Sequence, residues 1–355
     1  MSHGSRGDRV AEVLAQRELD SLLVSDLTNV RWLTGFTGTN GAAVVTRERR
    51  LFLTDFRYTE QAEDQVVDFE RLPAGRDLVA DMAEHLTGRA GFDDAHVSVR
   101  THARLAEKVP GGVTLTAAGG AIESLREVKD PGEIECIAAA AELASGALER
   151  VLERGLVGRT EREVALDLEQ EMRLAGAPGP SFPSIVAAGA HGALPHAVPR
   201  DWEIPSGVLV VIDWGALLDG YCSDCTRTVA TGPLDDEATE AYELVRRAQQ
   251  AGLAAVRAGA GCAWVDAVAR EVIAEAGQGE RFGHSLGHGV GLEVHEGPTL
   301  SKRSEGDLRA GNVVSVEPGV YLPGRLGVRI EDLVAVTDGG ADVFTQLPKE
   351  LLIVD

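Results

Sequence analysis

Cysteine is scarce in this sequence. The 355 residues contain four cysteines, at positions 136, 222, 225 and 262. Four scattered cysteines in so long a chain are too few for a disulfide framework and are typical of a reducing compartment. Cys222 and Cys225 have Cys-x-x-Cys spacing, but no second pair follows and their neighbours resemble a strand. We therefore interpret this spacing as incidental.

Long apolar runs are also missing. No stretch approaches the roughly 20 apolar residues that a membrane-spanning helix needs, and the opening "MSHGSRGDRV" lacks the apolar centre of a signal peptide. Basic residues are outnumbered, with 34 Lys and Arg against 56 Asp and Glu, giving a formal net charge of −22. Such a surface repels nucleic-acid phosphates and anionic lipids but attracts cations. The sequence thus predicts a cytoplasmic protein with neither nucleic acid nor membrane as a partner.

The length and pattern of the chain predict two domains, since 355 residues exceed what one core usually serves. The first third alternates helix-like "RVAEVLAQREL" with strand-like "SLLVS", "GAAVVT" and "RLFLTD", which is typical of an α/β layer. In "LREVKDPGEIE", Asp130, Pro131 and Glu133 form the start signal of a new helix. We place the boundary there and predict domains of residues 1–127 and 128–355.

The second part has its own helix and strand signals. Thr160 and Glu163 form a second capping box, and further helices are predicted around residues 242–256 and 264–276. Strand-like segments lie between and after them. This pattern predicts an α+β domain with mostly antiparallel strands and helices packed on one side.

Acidic residues inside apolar runs are the most informative feature. In "GVLVVIDWGALLDGYCSDCTRTVATG", Asp213 ends an apolar run and Asp224 lies on the returning strand. A hairpin folded about Leu218 and Asp219 would place these two aspartates opposite each other, with β-carbons about 5 Å apart. In "NVVSVEPGVYLPGRLGVRIEDLVAVT", a turn at residues 323–325 would likewise bring Glu317 and Glu331 together.

One such carboxylate could be interpreted as an exposed acid on an edge strand. Four of them are difficult to interpret in this way. Buried carboxylates placed together must share a proton or a cation. A pair of divalent metal ions would meet that need. Oxygen ligands with an imidazole suit manganese, cobalt, zinc or iron.

The segment "GHSLGHGVGLEVHE", residues 283–296, concentrates His284, His288 and His295 among four glycines. It fails as a helical His-Glu-x-x-His zinc motif, because Thr299 stands where the second histidine should be and each upstream glycine costs a helix about 1 kcal/mol. Taken alone it could be a histidine-bearing surface loop. Taken with the carboxylates, it is better explained as a glycine-permitted turn that directs one histidine to metal and two to substrate.

In this order, "VIDWGA…GYCSDCTRT", "GHSLGHGVGLEVHE", "SVEPGVY" and "VRIED" resemble the pita-bread metallopeptidases, namely aminopeptidase P, prolidase and methionine aminopeptidase. The resemblance covers about residue 128 to the end of the sequence. The earlier "NVRWLTGFTGTNGA" and "LTDFRYTEQA" resemble the creatinase-type N-terminal domain. Methionine aminopeptidases generally lack that domain, so the Xaa-Pro branch is the better match. The resemblance implies a pita-bread catalytic domain after a smaller α/β domain.

The resemblance also implies roles for individual residues. Its five metal ligands fall on Asp213, Asp224, His288, Glu317 and Glu331, all of the expected residue type. His196, in "LPHAVP", would contact substrate near the scissile bond, with His284 in the substrate pocket and His295 beside the attacked carbonyl. Thr226 and Arg329 would support the ligands.

These residues predict a hydrolytic mechanism. Two cations, manganese first with cobalt, zinc or iron as alternatives, would clamp a water between them and lower its pKa, supplying a bridging hydroxide. Asp224 and Glu331 would bridge the cations, with Asp213 on one and His288 with Glu317 on the other. Glu317 would serve as general base and then acid. His295 and His196 would stabilise the oxyanion, where one donor is often worth roughly 3 kcal/mol.

The predicted activity is therefore that of an Xaa-Pro aminopeptidase acting on short peptides with proline second. The alternative is an Xaa-Pro dipeptidase (prolidase), which must also bind the free carboxylate beside the proline, ideally with an arginine. Thr299 occupies the position where some prolidases carry that arginine, which favours the aminopeptidase. Arg303 or a residue of the N-terminal domain, of the same chain or of a partner subunit, could still supply the charge. A catalytically silent binding protein and a metal-free, creatinase-like hydrolase are disfavoured because no ligand is missing. Relatives usually pair, so a homodimer is expected.

Overall fold

The computed structural model describes residues 3–75 and 77–355, which divide into two compact units, one up to Arg126 and the other from Glu127 onward. Within these residues, no helix combines the length and the apolar character that crossing a bilayer requires.

The first unit alternates helices with strands. Its helices are α1 (His3–Gln16), α2 (Leu27–Thr34), α3 (Thr59–Gln65), α4 (Leu78–Ala83), α5 (Val99–Lys108) and α6 (Glu123–Arg126). Its strands are β1 (Ser21–Val24), β2 (Gly41–Thr46), β3 (Arg50–Thr54), β4 (Glu70–Pro73), β5 (Arg89–Phe92) and β6 (Thr114–Ala117).

These six strands form one mixed sheet in the order β4-β3-β2-β1-β5-β6. The centre of the sheet is buried on both faces: along β2, Ala42 and Val44 alternate with Ala43 and Val45, and all four are buried. Ala42 and Val44 belong to a core with Met82 of α4 and Leu105 of α5. Strand β2 is therefore a continuous run of small and β-branched residues, as expected of a strand covered on both faces of the sheet. The α/β prediction for this part of the chain is confirmed.

The second unit contains longer helices and shorter strands. Its helices are α7 (Pro131–Leu152), α8 (Glu161–Leu174), α9 (Asp236–Ala255) and α10 (Cys262–Glu275). Its strands are β7 (Gly179–Pro180), β8 (Ile185–Ala188), β9 (Leu209–Trp214), β10 (Ala216–Leu218), β11 (Tyr221–Cys222), β12 (Cys225–Ala230), β13 (Gly287–Gly289), β14 (Glu296–Leu300), β15 (Val313–Val316), β16 (Gly319–Leu322), β17 (Leu326–Arg329), β18 (Asp332–Val336) and β19 (Ala341–Val343).

The ladders between these strands are antiparallel. Helices α7 and α8 share one core with β8, β9 and β12, whereas α9 and α10 share another with β15 to β18. Both predicted capping boxes are present, with Asp130 and Glu133 opening α7 and Thr160 and Glu163 opening α8. The predicted α+β domain of antiparallel strands and packed helices is confirmed.

The predicted register of the first acidic hairpin is wrong by two residues. Asp213 pairs with Thr226 rather than with Asp224. The cause is the turn, which lies at Asp219 and Gly220 with φ of 48° and 82°. A two-residue hairpin turn of this type needs positive φ at both central positions, which Asp-Gly supplies and Leu-Asp does not.

The second acidic hairpin has the predicted register. Val316 pairs with Asp332, and Gly319 pairs with Arg329. Glu317 and Glu331 lie between these pairs at the same register, although Pro318 leaves a gap in the ladder because it has no N–H to donate. The turn lies at residues 323–325, where Gly324 has a φ of 75°.

Candidate metal centre

Three carboxylates converge where strands of the second unit end. Asp213 is near the end of β9, Asp224 immediately precedes β12, and Glu331 lies between β17 and β18. One oxygen from each lies within 4.8 Å of the others. Asp213 and Asp224 therefore meet despite the altered register, because diagonal neighbours across a strand pair remain within reach.

This cluster is short of positive charge and of hydrogen bonds. Burial, followed by repulsion from neighbouring carboxylates, raises the pKa of both Asp224 and Glu331 well above the ordinary range. Asp213 Oδ1 and Glu331 Oε1 are buried without a hydrogen-bond partner. Unpaired buried carboxylate oxygens are costly, and hard divalent cations prefer such ligands. The donor set therefore fits a metal centre.

Glu317 and His288 extend the cluster. His288 Nε2 lies 3.1 Å from Glu317 Oε1 and 3.6 Å from Asp224 Oδ2. Burial would raise the pKa of Glu317, but the hydrogen bond from His288 and its charge outweigh burial and lower that pKa to about 2. Burial lowers the pKa of His288, but Glu317 outweighs it and the net shift is upward. Each side chain therefore favours the charged form of the other.

The glycines on either side of His288 allow the backbone to come close to its neighbours. A β-carbon on Gly287 would lie 1.9 Å from Ser315 O, and one on Gly289 would lie 2.1 Å from Gly297 O. No side chain fits at either position. The His288 ring is held by Nδ1–H, which donates to Gly289 O at 3.1 Å, so Nε2 faces the carboxylates. Such a backbone partner commonly orients a metal-binding imidazole.

Thr226 and Arg329 both contact the carboxylates. Thr226 Oγ1 donates to Glu331 Oε2 at 2.9 Å and accepts from Arg329 Nε at 3.0 Å. Arg329 Nη2 donates to Asp213 Oδ2 at 2.6 Å. One buried arginine and one buried hydroxyl therefore fix the orientation of two of the three converging side chains.

Tyr321 joins this network to His284. His284 Nδ1 lies 2.8 Å from Ser285 O, which can only accept, so Nδ1 carries a proton. Burial lowers the pKa of His284, and the neutral ring then accepts at Nε2 from the Tyr321 hydroxyl, 3.0 Å away. Arg329 Nη1 donates to the same hydroxyl at 2.9 Å. Arg329 therefore donates to the Tyr321 hydroxyl, and this hydroxyl in turn donates to His284.

A cavity of about 540 Å³ opens over the cluster. His196, His284 and His295 all line it, and the His295 ring lies 4.3 Å from that of His288. Burial, followed by repulsion from His288, lowers the pKa of His295. The remaining wall is largely apolar and includes Phe182, Pro183, Ile185, Pro195, Val198 and Val294.

Neither Thr299 nor Arg303 lines this cavity; both border a different cleft. Within the part of the chain that the structure describes, Arg329 is the one arginine or lysine on the cavity wall, and it is already paired with Asp213. Arg303, the residue considered from the sequence as the cation for a substrate carboxylate, therefore does not line this cavity.

Ser315 and Tyr321 are two residues of the site that were not predicted from the sequence. Ser315 Oγ donates to Glu317 Oε1 at 2.9 Å and accepts from His288 N at 3.1 Å. A hydroxyl inside the apolar run "VVSV" was a signal that could have drawn attention to Ser315. Tyr321 ends the segment "SVEPGVY", but nothing local in the sequence indicates that its hydroxyl accepts a hydrogen bond from Arg329.

Comparison with known proteins places the chain in a family. Residues 135–338 match metallopeptidase family M24, and residues 6–128 match the creatinase/prolidase N-terminal domain. The uncharacterized peptidase YqhT of Bacillus subtilis is 42% identical over 98% of this chain and 99% of its own. An Xaa-Pro dipeptidase of Pyrococcus furiosus is 35% identical over 98% of this chain and 99% of its own.

Solved structures of similar proteins support the same family assignment. An Xaa-Pro dipeptidase from Bacillus anthracis superposes with a TM-score of 0.96 at 38% identity, covering 99% of this chain and 100% of its own. An X-Pro aminopeptidase from Thermotoga maritima gives a TM-score of 0.90 at 36% identity, covering 98% and 100%. The predicted creatinase-type and pita-bread domains are thereby confirmed, and the chain belongs to metallopeptidase family M24.

Proposed function

We propose that this protein is an Xaa-Pro dipeptidase that hydrolyses the bond before a C-terminal proline with the help of two divalent cations. The observation that carries the proposal is the meeting of four carboxylates and His288 beneath a cavity lined by three further histidines. Full-length relatives named as Xaa-Pro dipeptidases support the dipeptidase over the aminopeptidase that Thr299 favoured. Residues 128–355 would be the catalytic domain and residues 1–127 the N-terminal domain.

The proposed ligands are those the resemblance implied. Two cations, manganese first, would be held by Asp213, Asp224, Glu331, His288 and Glu317. When bound, such ions act as Lewis acids and make a water nucleophilic near neutral pH. Thr226 and Arg329 would keep the carboxylates oriented through the contacts described above.

The remaining roles belong to groups on the cavity wall. Glu317, ionised at neutral pH, would accept the proton of the attacking water and return it to the leaving proline nitrogen. His295 and His196 would donate hydrogen bonds to the oxyanion as the carbonyl becomes tetrahedral. A neutral His284 would face the substrate pocket. The apolar wall suits a proline ring, since small-ligand cavities combine such surfaces with a few polar groups.

Location and assembly are part of the same proposal. We propose a cytoplasmic homodimer whose partners are small peptides rather than nucleic acid or membrane. The net charge of −22 supports the exclusion of phosphate-rich surfaces.

Substrate length is the first property to test. Metal-stripped protein is reloaded with manganese and offered Gly-Pro, Ala-Pro-Ala and Ala-Ala-Ala in parallel. We expect cleavage of Gly-Pro alone. Cleavage of Ala-Pro-Ala at the Ala–Pro bond with Gly-Pro intact would instead make the protein an aminopeptidase. Thr299, and the lack of an unpaired arginine or lysine among the described residues of the cavity wall, are compatible with that outcome. No cleavage with manganese, cobalt or zinc would remove the peptidase proposal.

Thr226→Val tests the support given to Glu331. The valine keeps the shape of the side chain but loses the hydroxyl that donates to Glu331 Oε2 and accepts from Arg329. We expect manganese affinity to fall about 10-fold to 100-fold, as is usual when a group supporting a metal ligand is removed. The measurement is titration calorimetry. Thr231→Val is the control, because Thr231 Oγ1 bonds Pro205 O away from the cluster; equal affinities in the two variants would contradict the prediction.

A further inference from the structure

A buried ion pair on α10 has no role in the mechanism above, yet it contacts the loop that leads into the site. Asp266 is fully buried, and the side chain of Arg270, one turn later, is 12% exposed. Arg270 Nη2 and Nε donate to the two oxygens of Asp266 at 2.6 and 2.8 Å. Paired this way, both side chains are held rigid, since a forked arginine–carboxylate pair fixes orientation as well as distance.

The remaining hydrogen bonds of this pair go to loop backbone. Arg270 Nη1 donates to Phe282 O at 2.9 Å, and Nη2 donates to His284 O at 2.8 Å. Asp266 Oδ1 accepts from Leu286 N at 3.0 Å, an N–H that is also 2.8 Å from Leu300 O. The guanidinium lies 4.0 Å from the centre of the Phe282 ring. Three backbone groups of residues 282–286, a segment outside helix and strand, are therefore held by one helix turn.

Residues 282–286 contain or directly contact three parts of the proposed site. His284 lies in the middle of this segment. Leu286 is the last residue of the segment and immediately precedes β13, which contains His288. The position of the Leu286 backbone therefore affects where the His288 side chain lies relative to the carboxylates. Leu286 O in turn accepts from Glu317 N at 2.8 Å. A shift of the segment would therefore move a substrate-pocket histidine and two proposed metal ligands together.

We infer that Asp266 and Arg270 are a positioning pair, which sets the 282–286 backbone so that His284, His288 and Glu317 reach their places. The inference rests on the proposed function of the site. Neither side chain lines the cavity over the carboxylates, so the pair acts through the loop and not on the substrate. A lysine at 270 would keep the charge but could not reach two carboxylate oxygens and two carbonyls at once, because its ammonium is a single point.

The test uses Arg270→Lys and Asp266→Asn in the full chain. Cobalt(II) is titrated into metal-free protein by calorimetry, and the visible absorption of the loaded protein is recorded, since both depend on ligand geometry and neither needs a substrate. We expect affinity to fall about 10-fold to 100-fold and the absorption bands to change. Arg246→Lys is the matched control, because Arg246 pairs with Glu243 on the neighbouring helix α9 and its side-chain hydrogen bonds go to that glutamate.

Wild-type affinity and spectrum in both variants, with only a lowered unfolding temperature, would mean that the pair is merely structural and would overturn the inference. If Asp266→Asn does not fold, Arg270→Lys decides, because it keeps a cation against Asp266. If the wild-type protein cleaves no Xaa-Pro peptide, the proposed function fails, but the cobalt comparison still tests the pair.

Discussion

Asp224→Asn lowers kcat/KM for Gly-Pro by about 10³-fold or more, because it removes one of the three converging carboxylates that would hold the cations. Metal-ion catalysis contributes several kcal/mol, and about 1.4 kcal/mol corresponds to a tenfold change in rate. The loss should come through the metal: manganese at concentrations that saturate the wild type should neither restore activity nor raise the unfolding temperature of the variant.

The same substitution should have the opposite effect on the metal-free protein. Burial, followed by repulsion from neighbouring carboxylates, raises the pKa of Asp224 well above its ordinary value. As the pH rises above the unfolded pKa, the folded state loses stability, because the unfolded chain releases this proton whereas the folded protein must keep it or bear a buried charge. Asparagine carries no charge. Metal-free Asp224→Asn should therefore unfold at a higher temperature than metal-free wild type near neutral pH. The measurement is thermal unfolding of both proteins in the presence of a chelator.

Asp219→Asn is the control for both effects. Asp219 is an exposed turn residue of the same hairpin, and asparagine tolerates its positive φ of 48°. This variant should match the wild type in activity and in stabilisation by metal. If metal-free Asp224→Asn proved less stable than metal-free wild type, the burial and the carboxylate repulsion that raise the pKa of Asp224 would not determine stability at this site.

The carboxylates could be found from sequence because each follows or interrupts an apolar strand. Turn chemistry then decided how accurately they could be paired. The three-residue turn with Gly324 fixed the Glu317–Glu331 register correctly, whereas the Asp219–Gly220 turn shifted the first hairpin by two residues. The error left the site recognisable, because Asp213 and Asp224 still approach diagonally.

Contacts between distant segments could not be predicted in this way. The hydroxyl of Tyr321 meets Arg329 across one hairpin and His284 across a longer separation in sequence. Asp266 and Arg270 meet residues 282–286 only because α10 packs beside that loop. No periodicity or spacing encodes such meetings. Thr299 illustrates the converse, because its sequence position suggested a substrate contact that its location in a different cleft does not support.

Metal affinity should rise steeply with pH. Glu317 raises the pKa of His288, and burial raises the pKa of Asp224 and Glu331, so the metal-free site retains protons at pH values where free side chains would have lost more of them. Metal binds the deprotonated groups and must displace these protons. Apparent affinity then increases about tenfold per pH unit for each proton displaced, until the metal-free site itself deprotonates. Apparent affinities determined at several pH values should therefore show a slope of about one or more in log affinity per pH unit while the metal-free site keeps its protons.

Calorimetry in buffers of different ionisation enthalpy counts the displaced protons directly. His288→Gln supplies the comparison, because glutamine keeps a polar side chain but has no proton to lose, so the count should fall by about one. A pH-independent affinity would mean that the metal-free site is already deprotonated. The raised pKa values of Asp224, Glu331 and His288 would then not describe the protein in solution, and the excess acidic charge would have to be balanced by some cation other than protons.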